Sequence, residues 1–559
     1  MSGPLHPVVA QAQSLLAEGR LSRREFLRIA ALLGVSLGAA QVLAACGAPA
    51  TEAPTTSGET APGSIKRGGV LRIAEPVQAI DHPARLSWTE GANQLRFTFE
   101  YLTLIGADNI VRPYLLESWS ASDDLTVWTL NLRQDVVWTN GDPFVADHVI
   151  YNFNEWLNPD VGSSLLGLWE GFLTTDRIEK VDDYTVRLNL AAPKLDVPEN
   201  LFEYPALIMH PSFDGDVTSG RNPSTGPYTL TEFRVGERVR VDRREGYWQL
   251  GADGQPLPYL DTIEWIDLGT DQTAAIAALQ SGDVHTLYNP TVDTFLALRN
   301  DTRFITRPVT TSQVRVMRMR VDVDPFTDVR VRQALQKVQD RQKINDLAFF
   351  GQGVLGHDVH VAPIHPEWSP MDVPAYDPAG AKQLLTDAGY PDGLDIKVSV
   401  GTGWTDIVAW AEAMQQDAIP GGFNITLDTM PNDSYWGVWT ETPLGVTPWG
   451  HRPLALMTLP LAYIADESGT PVPWNETRWV NAEFSALLKQ AQGTLDLEAR
   501  RAIFADLQRI MQTEAPIVIS YWMANWNIMN AGFQNVEAHP ANYELFFQVW
   551  YDPDQDPFA

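Results

Sequence analysis

Residues 123–149, DDLTVWTLNLRQDVVWTNGDPFVADHV, contain a strand, a tight turn and the start of a helix in direct succession. Apolar and polar residues alternate over 127–132, which is the period of a half-buried strand. Residues 140–143, Asn-Gly-Asp-Pro, are typical of a turn that feeds a helix, and the apolar spacing over 143–153 predicts that helix. A strand that turns at once into a helix favours an α/β fold.

The same alternation continues along the chain. Glycines open an apolar, β-branched run at 66–74 that ends before Pro76, and this run predicts the first strand of the folded part. Periodicity predicts further strands at 314–321 and 396–400, and helices at 274–279, 329–338, 377–388, 481–492 and 497–513. No repeat of fixed period is present. The interleaving predicts α/β lobes with mixed sheets rather than a helix bundle or a β-sandwich.

Length and charge narrow the function. The chain has 559 residues, a formal net charge of −30, 19 Trp and one Cys. This length exceeds what one hydrophobic core supports, so at least two lobes are expected. So large a negative charge opposes binding to phosphate backbones, and we expect no nucleic acid partner. A single cysteine allows neither an internal disulfide nor a site of several thiolates.

The first 46 residues have the features of an export signal. The stretch SRREFLR at 22–28 resembles the twin-arginine signal, and LAAC at 43–46 resembles the bacterial lipobox. The apolar run at 29–40 is too short to span a bilayer. We therefore predict a removable twin-arginine lipoprotein signal peptide at 1–46, acylation of Cys46, and a flexible tether at 47–65 that is rich in Ala, Pro, Thr and Ser. The protein would lie outside the cytoplasm, anchored by lipid to the cell membrane in a periplasm or at a cell surface.

Motifs spread over most of the remaining chain resemble those of one protein family. The matching segments are IVRPYLLESWS at 110–120, the stretch at 123–149, TGPY at 225–228 with YW at 247–248, PFTDVRVRQAL at 325–335 with DR at 340–341, and YDPAGAKQLL at 376–385 with AGY at 388–390. They are similar to the motifs of the extracytoplasmic solute-binding proteins of ABC importers, specifically the large peptide, dipeptide and nickel-binding type called family 5.

The resemblance implies an architecture and a set of partners. It implies a class II, two-lobed α/β clamp that closes on a solute by a hinge, without catalysis and without a cofactor. The N-terminal lobe would comprise 66–315 with a subdomain inserted at about 111–224, the second lobe 316–515, and the segment 516–559 would return to the first lobe. The implied partners are a small solute, most of all a peptide, and an ABC permease complex, and the receptor is expected to be a monomer.

Aromatic residues with polar tips are dense between 404 and 479, and such side chains suit a cleft that must desolvate a varied ligand. Trp410 lies at helical spacing in an apolar run and is expected to be core. From the family, the loop at 75–90 with Asp81, His82, Arg85 and Trp88 should face the cleft. The predicted ligand-binding residues are Trp88, Trp404, Tyr435, Trp436, Trp449, His451, Arg452 and Asn475.

One position departs from the family pattern. The segment WGHRP at 449–453 lies where many peptide-binding members resemble W-x-x-D-Y, whose aspartate pairs with the peptide amino group. Arg452 stands in place of that acid. A guanidinium repels an ammonium group and suits carboxylates, phosphates or sugar hydroxyls. Two interpretations stay open here: Arg452 meets an acidic or hydroxylated part of the solute, or it pairs with a structural carboxylate.

The sequence also bears on other functions. His357, His360 and His365 have spacings that could bind nickel or zinc, but two nearby prolines impose a loop and no H-E-x-x-H motif occurs, so we predict no metal site. Oligosaccharides, opine-like conjugates and nickel chelates are alternative solutes. A secreted lipoprotein hydrolase is the alternative of another class. The sequence contains no G-x-S-x-G, zinc or P-loop motif, which argues against a hydrolase. Its many Asp and Glu residues still allow a catalytic pair of carboxylates. A sensing or chaperone-like protein on the same fold is a third possibility.

Overall fold

A computed structural model describes residues 65–269, 272–466 and 468–559. The predicted signal peptide, Cys46 and all but the last residue of the predicted tether lie outside these residues. The strands, in chain order, are β1 (Val70–Ala74), β2 (Thr103–Ile105), β3 (Val111–Pro113), β4 (Leu116–Ala121), β5 (Val127–Leu132), β6 (Ile178–Asp182), β7 (Thr185–Asn189), β8 (Tyr228–Arg234), β9 (Arg238–Arg243), β10 (Thr262–Ile266), β11 (Thr286–Leu287), β12 (Phe304–Met319), β13 (Val354–Leu355), β14 (Leu394–Gly401), β15 (Phe423–Met430), β16 (Leu444–Trp449), β17 (Ile517–Val518), β18 (Tyr521–Asn530), β19 (Phe533–Gln534) and β20 (Trp550–Tyr551).

Helices are interleaved with these strands. The α-helices are α1 (Thr89–Leu95), α2 (Ala146–Leu157), α3 (Leu166–Trp169), α4 (Val197–Asn200), α5 (Gln272–Ser281), α6 (Val292–Leu298), α7 (Val329–Lys337), α8 (Arg341–Phe349), α9 (Pro378–Asp387), α10 (Thr405–Asp417), α11 (Asn432–Val438), α12 (Leu459–Ala462), α13 (Ala482–Gln492) and α14 (Leu497–Glu514). Short 3-10 helices lie at Pro83–Arg85, Thr175–Arg177, Val217–Ser219, Ile419–Gly421, Ala455–Met457 and Phe546–Gln548.

Two long strands hold the principal sheet together. Among the described residues the sheet has the order β15-β14-β16-β12-β18-β11-β1-β10-β9-β8, with parallel and antiparallel neighbours. The pair β12 and β18 is antiparallel, and its register shifts between Thr310 and Val314. Such a shift bends a strand and raises its twist. In this strand order, β11, β1, β10, β9 and β8 lie on one side of the pair, and β14 to β16 lie on the other.

A smaller antiparallel sheet, β4-β5-β7-β6, forms between residues 116 and 189. Every second residue of β5 is buried, and these residues are Trp128, Leu130 and Leu132. The alternation read from the sequence therefore marks the core-facing side of this strand, and β5 has the predicted bounds. The indole nitrogen of Trp128 donates to the carbonyl of Lys194, which ties this sheet to the loop that follows β7.

Most predicted elements are confirmed, but three have wrong bounds. The strand predicted at 66–74 begins only at Val70. The helix predicted at 143–153 begins at Ala146, because Pro143 pairs with Val137 in an isolated bridge that closes the turn. The strand predicted at 314–321 is the end of β12, which begins at Phe304. Its first ten residues contain Thr, Arg, Pro and Gln and lack the apolar alternation that sequence analysis depends on.

The core confirms the interpretation of Trp410, which is fully buried and donates its indole N–H to Ser520 at 2.6 Å. The TGPY motif is explained by a close approach of backbone. A Cβ on Gly226 would lie 2.5 Å from the carbonyl oxygens of Phe97 and Thr98, so only glycine fits there. Among the described residues, no helix has the length and apolar character needed to cross a membrane.

Candidate functional site

The backbone of Arg452 is fixed by three hydrogen bonds. Its N–H donates to the hydroxyl oxygen of Ser312 at 2.8 Å, and its carbonyl accepts from the same hydroxyl and from Nε2 of His365. Ser312 belongs to β12, while Arg452 follows β16, the neighbouring strand. The guanidinium is exposed, and among the described residues it forms no hydrogen bond and no ion pair. A rigid backbone therefore presents a free cation.

Two cavities meet at this guanidinium. The first, called the apolar cavity, has a volume of about 470 Å³, and the second, called the polar cavity, about 320 Å³. Arg452, Glu203 and Tyr204 line both of them. Sites for small molecules commonly have volumes of about 300 to 1,000 Å³. The two cavities therefore form one candidate binding groove with a charged junction.

The walls of the two cavities differ in chemistry. The apolar cavity is lined mainly by the side chains of Leu165, Leu168, Phe172, Leu456, Met457 and Leu461. The polar cavity is lined by groups that can donate or accept hydrogen bonds, among them Gln313, His451, His539, Asn542 and Tyr543. A bound solute with one apolar and one polar part would match this division.

Glu203 is the carboxylate at the junction. It is half-buried, and burial raises the pKa of its carboxyl while the nearby charge of Arg452 lowers it. Among the described residues, this carboxylate accepts no hydrogen bond and forms no ion pair with Arg452. The interpretation of Arg452 as the partner of a structural carboxylate therefore has no contact to support it. Two opposite charges instead face the same groove without touching.

The ring of His451 is held in place beside the junction by hydrogen bonds at both nitrogens. Its Nδ1 accepts from the backbone N–H of Ser312 at 3.1 Å, and its Nε2 donates to Oδ1 of Asn109 at 3.1 Å. Burial lowers the pKa of His451 well below its ordinary value, so the ring is neutral. The amide of Asn109 also donates to the carbonyl of Pro453 at 2.7 Å. Both ring nitrogens are thus engaged, although the ring lines the polar cavity.

A row of tryptophans extends away from the same segment. The rings meet edge to face: Trp404 and Trp436 at 6.0 Å, Trp436 and Trp439 at 5.5 Å, Trp439 and Trp474 at 6.5 Å, and Trp474 and Trp449 at 5.9 Å. Trp436 is 38% exposed and Trp474 is 49% exposed. Exposed apolar side chains that adjoin one another mark interaction surfaces. The structure thus brings together three predicted residues, Trp404, Trp436 and Trp449.

Glu476 positions the inner end of this row. Its carboxylate accepts from the indole N–H of Trp449 at 3.2 Å and from the hydroxyl of Thr447 at 2.6 Å, and Nε of Arg318 lies 3.4 Å away. The hydroxyl of Tyr435 bonds in turn to Thr447 at 3.1 Å. Burial raises the pKa of Glu476, and the charge of Arg318 opposes that rise. Because Thr447 and Trp449 are two residues apart on β16, their side chains share one face of the strand.

Two of the predicted ligand-binding residues are fully buried. The hydroxyl of Tyr435 is bonded within the network around Glu476. The amide of Asn475 donates to the carbonyls of Ile464 and Trp479 at 3.1 and 2.9 Å, and its oxygen accepts from Thr477. Both polar groups are therefore bonded within the protein and buried.

Trp88 lies apart from the row, at the start of α1. It is half-buried, and its indole nitrogen is enclosed without a hydrogen-bond partner among the described residues. In the same loop, Asp81 forms an ion pair with Arg85 at 2.5 Å. Glu75 and Glu90 line a separate cavity of about 160 Å³. Burial and the charge of Glu544 raise the pKa of Glu75 well above its ordinary value.

Two of the three histidines considered for metal binding have a ring nitrogen engaged in another contact. Nδ1 of His360 lies 2.8 Å from the hydroxyl of Tyr463, and Nδ1 of His365 accepts from the N–H of Ala362. Burial lowers the pKa of both rings to about 3, and that of His357 to about 4. Within the described part of the chain, no group of three or more His, Cys, Asp or Glu side chains could hold a metal ion.

Sequence reasoning missed Glu203, Tyr204 and Tyr543. Glu203 and Arg452 lie 249 positions apart in the chain, and only the folded structure places both in the lining of the same cavities. The one signal for it is an acidic residue within the otherwise apolar and aromatic run at 201–208.

The sequence was compared with known proteins. A sequence model of the bacterial extracellular solute-binding proteins, family 5, middle region, matches residues 111–461. The glutathione-binding protein GsiB of Salmonella paratyphi A is 27% identical over 448 residues, which cover 74% of this chain and 82% of that protein. The dipeptide-binding protein DppE of Bacillus subtilis is 24% identical over 551 residues, 91% of this chain and 97% of that protein.

A solved structure shares the fold. HbpA2 from Haemophilus parasuis superposes with a TM-score of 0.76 at 21% identity, covering 87% of this chain and all of that chain. The likeness confirms the predicted two-lobed α/β fold.

Proposed function

Since the chain belongs to the bacterial extracellular solute-binding proteins of family 5, we propose that it captures a peptide-sized solute outside the cytoplasm and delivers it to an ABC import permease. It is a binding protein and not an enzyme, which sets aside the secreted hydrolase. Binding between two lobes lets a permease distinguish the loaded receptor from the empty one by its surface.

One observation carries the placement of the solute. The backbone of Arg452 is fixed by hydrogen bonds, and its unbonded side chain forms part of the wall that two cavities share. Because the backbone is already fixed, only the side chain has to be ordered when the guanidinium binds a carboxylate or phosphate. The proposed surface comprises this groove and the row of Trp404, Trp436 and Trp449. Trp88 and His451 belong to its margin, while Tyr435 and Asn475 support it from behind.

The class of solute follows from the relatives and from the groove together. GsiB is described as a glutathione-binding protein and DppE as a dipeptide-binding protein. Both names refer to short peptides or peptide-like molecules, which have the polar groups and the size that this groove would accommodate. Peptides and acidic peptide conjugates are therefore the first candidates, and oligosaccharides, opine-like conjugates and nickel chelates follow.

Thermal unfolding with recovery of the solute tests the proposal. The purified chain after Cys46 would be incubated with pools of short peptides and oligosaccharides. A solute at 100 times its Kd stabilises a one-site receptor by about 2.7 kcal/mol. We expect one pool to raise the Tm and to be recovered chemically unaltered. Arg452→Gln should lose this stabilisation, whereas Arg509→Gln, an exposed arginine of α14, should retain it. Turnover of the solute, or no stabilisation by any pool, would contradict the receptor.

We also propose that the receptor is tethered by lipid at Cys46 after export through a twin-arginine signal. The supports are the SRREFLR and LAAC segments, since two acyl chains suffice for stable anchoring. In cell fractionation, the wild type should follow the membrane and Cys46→Ser should be released. Replacing both Arg23 and Arg24 by Lys should keep the precursor in the cytoplasm. Membrane association that survives Cys46→Ser would contradict the anchor.

A further inference from the structure

The junction of the groove presents one cation and one anion that are not paired with each other. Glu203 follows α4 and Arg452 follows β16, and both line the apolar and the polar cavity. They influence each other electrostatically, yet no ion pair joins them among the described residues. Each side chain therefore has its full hydrogen-bonding capacity available to a molecule in the groove.

The position of Glu203 bears on which residue could bind an amino group when Arg452 replaces the acid of the motif. Family members resembling W-x-x-D-Y place an acid at the position of Arg452, and that acid would meet an amino group. Glu203 supplies an acid at the same junction, from a different part of the chain. Arg452, with its planar fork, supplies the complementary site for a carboxylate.

We propose that Glu203 binds the ammonium group and Arg452 the carboxylate of one zwitterionic solute, whose largest apolar substituent enters the apolar cavity. The inference rests on the proposed function, because it concerns the same groove. A zwitterion matches two unpaired and opposite charges, whereas a solute with one charge would leave the other side chain unpaired beside it. The lining of Leu168, Met457 and Leu461 then takes the apolar part.

The walls of the groove support this orientation. Lys194, the other cation on the apolar cavity, pairs with Asp196 at 3.0 Å and lies 4.6 Å from the ring centre of Phe172. Its charge is thus already engaged by a carboxylate. Arg452 is then the cation left to meet a solute at the junction, within the part of the chain that the structure describes.

Calorimetric titration with matched peptides tests the assignment. The probes are leucyl-leucine, its N-acetyl derivative, which lacks the ammonium, and its C-terminal amide, which lacks the carboxylate. Loss of a charged hydrogen bond should weaken binding by about 10- to 100-fold. We expect N-acetylation to weaken binding to the wild type and to have little further effect in Glu203→Gln. Amidation should likewise weaken binding to the wild type and have little further effect on binding to Arg452→Gln.

Filling the apolar cavity with a larger side chain tests whether it takes the apolar part of the solute. Gly167 lines this cavity, and a Cβ placed on it would have no atom within 4 Å, so a larger side chain can be attached there without a clash at its first carbon. Gly167→Phe should weaken leucyl-leucine binding by about tenfold or more and leave glycyl-glycine binding nearly unchanged. Gly167→Ala is the matched control, and urea unfolding of each variant verifies that the chain is folded.

Several results would overturn the inference while leaving the receptor intact. One is a Glu203→Gln variant that weakens all three probes equally or not at all. Another is a wild type that binds none of the probes at millimolar concentration but is stabilised by another recovered solute. If no pool stabilises the protein and nothing is recovered, the proposed function itself fails.

Discussion

Glu476 is the residue on which the inner end of the tryptophan row depends. It is 2% exposed and accepts hydrogen bonds from Trp449 and Thr447 while it pairs with Arg318, which is fully buried. Breaking a buried ion pair by neutralising one partner leaves the other charge without compensation. The position of Trp449 is thus linked to a buried carboxylate.

Glu476→Gln should lower the free energy of unfolding by about 3 kcal/mol. Glu441→Gln is the matched control, since Glu441 pairs with Arg320 and Arg478 but is exposed, and exposed pairs contribute about 0 to 1 kcal/mol. Urea unfolding of both variants measures the difference. Equal stabilities of the two would contradict the importance of the buried pair.

Glu199 makes stability depend on pH. It is buried on α4, and burial raises the pKa of Glu199 to about 8, with Asp196 and Glu367 adding to the rise and Arg500 opposing it. A carboxyl whose pKa is higher in the folded than in the unfolded protein stabilises the fold fully below the unfolded value. That contribution disappears as the pH rises through the folded value. Buried histidines act in the opposite direction, but only below about pH 6.5.

The window from pH 6.5 to 8.5 avoids the histidines. Glu367 and Glu544, whose pKa values burial raises to about 7, also titrate there, so the contribution of Glu199 is the difference between the wild type and Glu199→Gln. The wild type should lose stability across it, and Glu199→Gln should lose about 2 kcal/mol less, since each pKa unit corresponds to about 1.4 kcal/mol. Glu237→Gln, an exposed glutamate, is the control and should follow the wild type. Chemical unfolding at several pH values gives the slopes. A slope unchanged in Glu199→Gln would show that this carboxyl is not the cause.

Sequence reasoning reached some residues of the site and not others. Arg452 was chosen because it departs from a motif, and Trp436 and Trp449 because neighbouring Pro, Gly and Asn break regular packing patterns. Their role in binding stays a prediction. Glu203 could not be chosen in this way, since its place in the groove depends on how distant parts of the chain fold together. Tyr435 and Asn475 carried the same local signal as the surface tryptophans. Only burial separates them, and burial is a property of the fold.

At the scale of elements, helix ends were the easiest to predict. Asp377 and Asp496 cap α9 and α14, each accepting a hydrogen bond from a backbone N–H of the first turn. Caps and apolar spacing are local signals, so these two helices have nearly the predicted bounds. The length of β12 was missed because its first half is stabilised by pairing with β18, more than 200 residues away.

Asp496→Ala should lower the free energy of unfolding by about 1 kcal/mol, because the N–H of Ala499 loses the acceptor that lies 2.7 Å away. Asp496→Asn retains a side-chain oxygen and should cost much less. Thermal or urea unfolding compares the two, and equal losses would show that charge rather than capping is responsible.

At the scale of the whole molecule, the two-lobed fold could be predicted from ordered motifs, and the position of the lobe boundaries remains a prediction. The pair β12 and β18 joins the strands on either side of the sheet, and Ser312 on β12 also fixes Arg452. A change in the bend of these strands would therefore move the groove. Under the proposed function, this coupling would be the route by which solute binding alters the surface that a permease meets.

Native mass spectrometry of the receptor purified from its own cell envelope tests the central claim most directly. The wild type should carry a non-covalent small molecule that acid releases with an unaltered mass after prolonged incubation, and Arg452→Gln should carry much less of it. A wild type without any such molecule even after exposure to the solute pools, or equal occupancy in the two proteins, would contradict the account.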